Sequence, residues 1–126
     1  MSESLTLEEL RRLAENYVKD VKEGWDISNG WGDSPYVVSK AAVNAYTFLL
    51  HRRLQEKGII VNCVHPGYVM SDMTRGAGTI SPDDAAALPV KLALDPWGAG
   101  LYVWHNGSAV PWDGPDPRVY IDGRKA

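Results

Sequence analysis

Hydrophobic positions along the chain switch between a helical and a strand-like rhythm. Leu7, Leu10, Ala14, Tyr17, Val18 and Val21 recur at helical spacing, while Glu, Arg, Asn and Lys fill the opposite face. Thr6 to Glu9 reads T-x-x-E, a capping box that starts this first helix, and Gly24 stops it. A second helix opens at Ser34-Pro35, cap and first-turn proline, and runs to Lys57 with an alanine-rich apolar face of Ala41, Ala42, Ala45, Phe48 and Leu49. Gly58 ends it. The run Ile59-Ile60-Val61-Asn62-Cys63-Val64 then reads as a strand covered on both faces. A long helix leading into such a strand is half of a βαβ unit.

Between these elements the chain is loop-like. Gly24 to Asp33 is rich in Gly, Asn, Ser and Asp, and a second loop runs from the His65-Pro66-Gly67 turn to Ile80. Ser81, Pro82, Asp83 and Asp84 start a third helix, which Pro89 is expected to shorten or kink. Leu101 to Trp104 reads as a last short strand ended by Asn106-Gly107. The tail from Pro111 to Ala126 reads as irregular. Asn106-Gly107-Ser108 matches a glycosylation acceptor but reads better as a turn.

At 126 residues, with 44% hydrophobic and 23% charged residues, the chain is of a size and composition for one globular domain. A net charge of -3 without any run of Lys or Arg argues against nucleic acid or an anionic membrane as partner. No segment reads as a membrane span. The single cysteine, Cys63, leaves no internal disulfide and fits a reducing, cytoplasmic setting. It reads as a strand residue rather than a nucleophile. His51, His65, His105 and Cys63 lack metal-ligand spacing, so no metal site is expected.

The chemistry-bearing feature is Tyr36-Val37-Val38-Ser39-Lys40 at the start of the second helix. Positions i and i+4 share a helix face, so a phenol and an ammonium can serve one site. An ammonium near a phenol favours the phenolate, and a phenol so placed can give a proton to a carbonyl oxygen or take one from an alcohol. Y-x-x-x-K alone is a common coincidence, and surface Tyr/Lys pairs usually have no chemical role. Here, however, the helix reads YVVSKAAVNAYT, and Pro66-Gly67-Tyr68-Val69-Met70-Ser71-Asp72-Met73 follows one helix and one strand later.

These two linked motifs resemble the short-chain dehydrogenase/reductase family, with its Y-x-x-[ST]-K-A-A helix and its strand ending in P-G-x-[VI]-x-[TS]. The resemblance implies an α/β fold: the C-terminal half of a Rossmann-type doubly wound parallel sheet, with the N-terminal cofactor-binding half missing. It also implies that Tyr36 is the general acid/base and that Lys40 assists it and holds the nicotinamide ribose. Pro66 and Gly67 would bring backbone close to the nicotinamide, and Val69 would meet its carboxamide through the backbone. Ser71, standing where the family usually has threonine, would touch the cofactor. The implied reaction is reduction of a ketone or aldehyde carbonyl, or its reverse, with NADP (NAD being an alternative). Residues 1–33 resemble the end of a helical insertion seen in the carbonyl- and menthone-reductase branch, whose members tend to be monomers. Residues 34–126 would carry the active-site helix, the following strands and the substrate region.

Parts of the family pattern are not in these residues. No G-x-x-x-G-x-G follows a strand, and Gly76-Ala77-Gly78 reads as a mobile loop on the substrate side. Ser28 and Ser34 are too near Tyr36 to be the family's catalytic serine, Ser2 and Ser4 lie at the terminus, and Asn44 reads as structural. The expectation is therefore a chain inactive by itself and prone to self-association through an uncovered strand edge. The alternative is a non-catalytic pseudoenzyme or protein-binding module. Trp97, Trp104 and Trp112 are candidates for lining a substrate pocket, with core packing the stronger reading.

Overall fold

In the computed structural model, residues 4–111 are described. The order is helix α1 (Leu7–Glu23), helix α2 (Pro35–Leu54) with a 3₁₀ turn at Gln55–Lys57, strand β1 (Cys63–Val64), helix α3 (Pro82–Leu94), strand β2 (Tyr102–Val103) and strand β3 (Ala109–Val110). The caps are those the sequence specifies. Thr6 accepts from the Glu9 amide at 3.2 Å while Glu9 accepts from the Thr6 amide at 2.8 Å. Ser34 caps α2 and Ser81 caps α3, each with proline in the first turn. α3 runs through Pro89 to Leu94 rather than ending there.

The three strands form one sheet in the order β1-β2-β3. β1 and β2 are parallel, pairing Cys63 with Tyr102 and Val64 with Val103, while β3 returns antiparallel to β2. This antiparallel strand is an addition to the expected parallel arrangement. It exists because Asn106-Gly107 makes a tight turn: the Asn106 side-chain oxygen accepts from the Ser108 amide at 2.9 Å. The strand expected over Ile59–Val64 narrows to Cys63–Val64. Ile59 and Ile60 are about half exposed, so they are not sandwiched between layers as expected. The residues that are tied are held by β2 and the loop before it: Cys63 donates to Leu101 and His65 to Val103, and the Asn62 side chain clips Gly98 and Leu101.

Val103 is fully buried, and Trp104, Val110, Leu92 and Ala45 are the other buried apolar residues among those described. α2 leans on β1 where the buried Thr47 hydroxyl meets the Cys63 thiol. Cys63 is half-buried, and burial pushes its thiol up to about 11, so it is an inert thiol rather than a nucleophile. α1 meets α2 across an apolar cavity of about 680 Å³ lined by residues such as Leu10, Tyr17, Val38 and Ala42. The connection between the two helices is pinned by Asp20, whose carboxylate accepts from Asn29 at 3.1 Å and from the Trp31 indole at 2.7 Å. Those two donors hold the Asp20 carboxyl below its usual range. No helix among the described residues is long and apolar enough to cross a membrane. Trp112 and the tail lie outside the described residues.

Candidate active site

The site residues expected from sequence fall in two groups. Tyr36 and Lys40 stand on the first turns of α2. Ser34 and Pro35 start the helix just ahead of them: Ser34 accepts from the Val37 amide at 3.3 Å, and the Ser39 hydroxyl donates back to the Tyr36 carbonyl at 2.7 Å. One turn apart, the Lys40 ammonium lies over the Tyr36 ring, 5.6 Å from its centroid. Both side chains are exposed, Tyr36 at 61%. The helix thus presents a phenol and a cation together on an open face.

Pro66, Gly67, Val69 and Ser71 form the second group, in the loop after β1. Gly67 has φ +87, and a Cβ there would press on Ile80 and on His105, so the backbone must pass bare at this point. Its amide donates to His65 Nδ1 at 3.0 Å. That contact makes Nδ1 the acceptor and leaves the proton on Nε2. The His65 ring stacks on Trp104 at 4.2 Å and 26°. Burial, and then the nearby His105, depress the His65 pKa. The neutral ring is thus the form that closes the turn.

Stability should follow from that shift. A histidine whose folded pKa lies below its unfolded value adds stability that is complete above the unfolded value, near 6.5, and is lost as pH falls toward the folded value. Melting temperature is therefore expected to drop between pH 7.5 and 5.5. His65→Asn, which keeps an acceptor without a titrating proton, should flatten that drop. An equal slope in the two proteins would refute His65 as its source.

Beyond Gly67 the loop is not slack. Val69 bridges Ile80 in parallel fashion: Met70 donates to Ile80 at 2.9 Å and Ile80 to Tyr68 at 3.2 Å. Gly76-Ala77-Gly78, expected to be a mobile loop, is drawn in by this bridge and by amide bonds from Gly76 to Ser71 and from Ala77 to Thr74. The same pattern turns the Val69 N–H and C=O away from Ile80. The Val69 carbonyl is taken by Thr74, and its N–H has no partner among the described residues. Thr74 is the residue that sequence reasoning missed. A lone threonine in a loop has no signal of its own.

No hydrogen bond or ring contact joins the Tyr36/Lys40 pair to the Pro66–Ser71 loop among the described residues. They belong to neighbouring elements because α2 runs into β1. Of the candidate tryptophans, Trp104 is core. Trp97 borders a shallow cavity of about 350 Å³ with Leu88, Lys91, His105, Asn106 and Gly107. Among the described residues no three His, Cys, Asp or Glu side chains gather as a metal site would need.

The sequence pattern of the short chain dehydrogenase family matches residues 28–80, which include both groups. Short-chain dehydrogenase/reductase 1 of Saponaria officinalis is 40% identical over 108 residues, covering 82% of this chain and 35% of its own length. Carbonyl reductase [NADPH] 1 of Rattus norvegicus is 38% identical over 119 residues, covering 88% and 43%. Among solved structures, salutaridine reductase from Papaver somniferum superposes with a TM-score of 0.72 at 34% identity, over 79% of this chain and 35% of that one. The chain therefore spans under half the length of these relatives.

Proposed function

Over the stretch it shares with these relatives the chain belongs to the short-chain dehydrogenase family, and from that premise we propose that it carries the proton-transfer and nicotinamide-side elements of an NADPH-dependent carbonyl reductase. The observation that carries the reading is the Lys40 ammonium lying over Tyr36 at the start of α2. In this reading Tyr36 delivers a proton from its hydroxyl to the oxygen of a ketone or aldehyde, or accepts one from an alcohol. Lys40, its ammonium 5.6 Å from the ring centroid, is the cation that would assist it. NADPH, when bound, would supply the hydride.

The residues present fit the nicotinamide end of that cofactor. Gly67 keeps the backbone bare of a side chain, the Val69 N–H is free to donate, and the Ser71 hydroxyl stands two residues on. Pro66 sets the turn, and Lys40 can reach a ribose hydroxyl with the donors it does not spend elsewhere. A reducing, cytoplasmic setting suits the free Cys63 thiol.

A second reading, a protein-binding module, is favoured by one observation. β1 is paired with β2 alone among the described residues, and Ile59 and Ile60 lie exposed just before it. Titrating the chain, co-expressed with the remaining portion of a carbonyl reductase of this family, with NADPH, followed by cofactor fluorescence, separates the two. Saturable binding in the micromolar range is the expected outcome of the reductase reading. No binding, together with concentration-dependent association seen by sedimentation, would favour the module.

A further inference from the structure

We propose that Thr74 is a positioning residue for the nicotinamide side of the site, setting the backbone of Val69 to Ser71 so that its free groups face a ligand; this rests on the cofactor reading above. One hydroxyl braces three backbone groups. Thr74 Oγ1 accepts from the Ser71 amide at 2.9 Å and lies 2.9 Å from the Val69 carbonyl and 3.0 Å from the Ser71 carbonyl, sharing its proton between them. The Ser71 hydroxyl is a looser neighbour at 3.4 Å.

The consequence is a sorting of donors and acceptors. The Ile80 bridge uses the Tyr68 carbonyl and the Met70 amide, and Thr74 uses the Val69 carbonyl and the Ser71 amide. What remains unspent on this edge is the Val69 N–H, with the Ser71 hydroxyl two residues on. An amide donor beside a hydroxyl suits a primary carboxamide, whose oxygen accepts and whose nitrogen donates. Without the Thr74 hydroxyl, the Val69 carbonyl and Ser71 amide would be unspent as well, and both would compete for the same ligand or turn toward water. Thr74 is half-buried, and valine matches its shape without its hydroxyl.

The test is a titration with NADPH of the ¹⁵N-labelled chain assembled with the remaining portion of a carbonyl reductase of this family, read at the Val69 and Ser71 amides, for the native protein, Thr74→Val and Thr74→Ser. Thr74→Val is expected to weaken binding about fivefold or more, the loss of about one hydrogen bond, while Thr74→Ser stays within about twofold. A Thr74→Val protein that melts lower but binds as tightly when folded would overturn the inference while leaving the cofactor reading intact. A native chain with no saturable shift at either amide would overturn the cofactor reading, and this inference with it. Hydrogen exchange in the native protein guards against a variant that fails to fold. A Ser71 amide exchanging as fast as an unprotected loop amide overturns the bracing geometry whatever the variants do.

Discussion

Tyr36→Phe is expected to lower carbonyl reduction by about a hundredfold to ten-thousandfold, with little change in melting temperature. The assay is turnover of a simple ketone by the chain co-expressed with the remaining portion of a carbonyl reductase of this family. The asymmetry between activity and stability follows from exposure. Tyr36 is 61% exposed, its hydroxyl makes no hydrogen bond among the described residues, and the helix start is held by Ser34 and Pro35 rather than by the phenol. Removing one oxygen would therefore delete the proposed proton donor without disturbing the core around Val103. Retained turnover in the variant would show that the proton comes from elsewhere, and a fall in melting temperature as large as a core substitution would show that the phenol is structural.

Gly78 should be the least replaceable residue of the loop. Its φ is +141, and a Cβ there would stand 2.7 Å from the Met70 nitrogen, 2.7 Å from the Val69 carbonyl carbon and 2.8 Å from the Tyr68 oxygen. All three are backbone atoms, so no side chain can swing aside, and any accommodation must pull apart the Val69–Ile80 bridge. Gly78→Ala is expected to cost about 3 kcal/mol in urea denaturation, backbone strain and overpacking together. Gly76→Ala is the control: φ there is +78 but nothing lies within 4 Å, so only the conformational cost of about 1 kcal/mol should appear. Equal losses at the two sites would mean that the close approach of the two loop arms does not matter.

The sequence reading succeeded where structure is set by neighbours a few residues apart. Thr6 with Glu9, Ser34 with Pro35, and Ser81 with Pro82 mark the helix starts because the groups that satisfy the first-turn amides lie within one turn of chain. That Tyr36 and Lys40 share one helix face was legible for the same reason. Reading failed where the partner is distant. Ile59 to Val64 has the composition of a long buried strand, but a strand is as long as its ladder, and β2 meets only its end. β3 depended on whether the chain turned back at Asn106-Gly107, which Ala109-Val110 by themselves do not announce. Thr74 depended on the Val69–Ile80 bridge, a pairing across eleven residues without an alternating pattern to betray it. Pro89 does not end α3, because a thirteen-residue helix with a good start absorbs the loss of one amide bond.

α1 is well capped, yet none of its residues is buried. It is held at one end where the Arg52 guanidinium reaches the Leu5 carbonyl, at the other by Trp31 and Asn29 on Asp20, and by Tyr17 packing edge-on against Trp31. Between these ties lies the apolar cavity shared with α2. A helix fastened at its ends over loosely filled space belongs to the low rungs of the molecule's opening hierarchy: it can unlatch as one cooperative unit while the sheet stays closed. The face of α2 opposite the sheet would then be revealed intermittently at a small fraction of the cost of global unfolding, and chaperones and proteases would meet this chain there first.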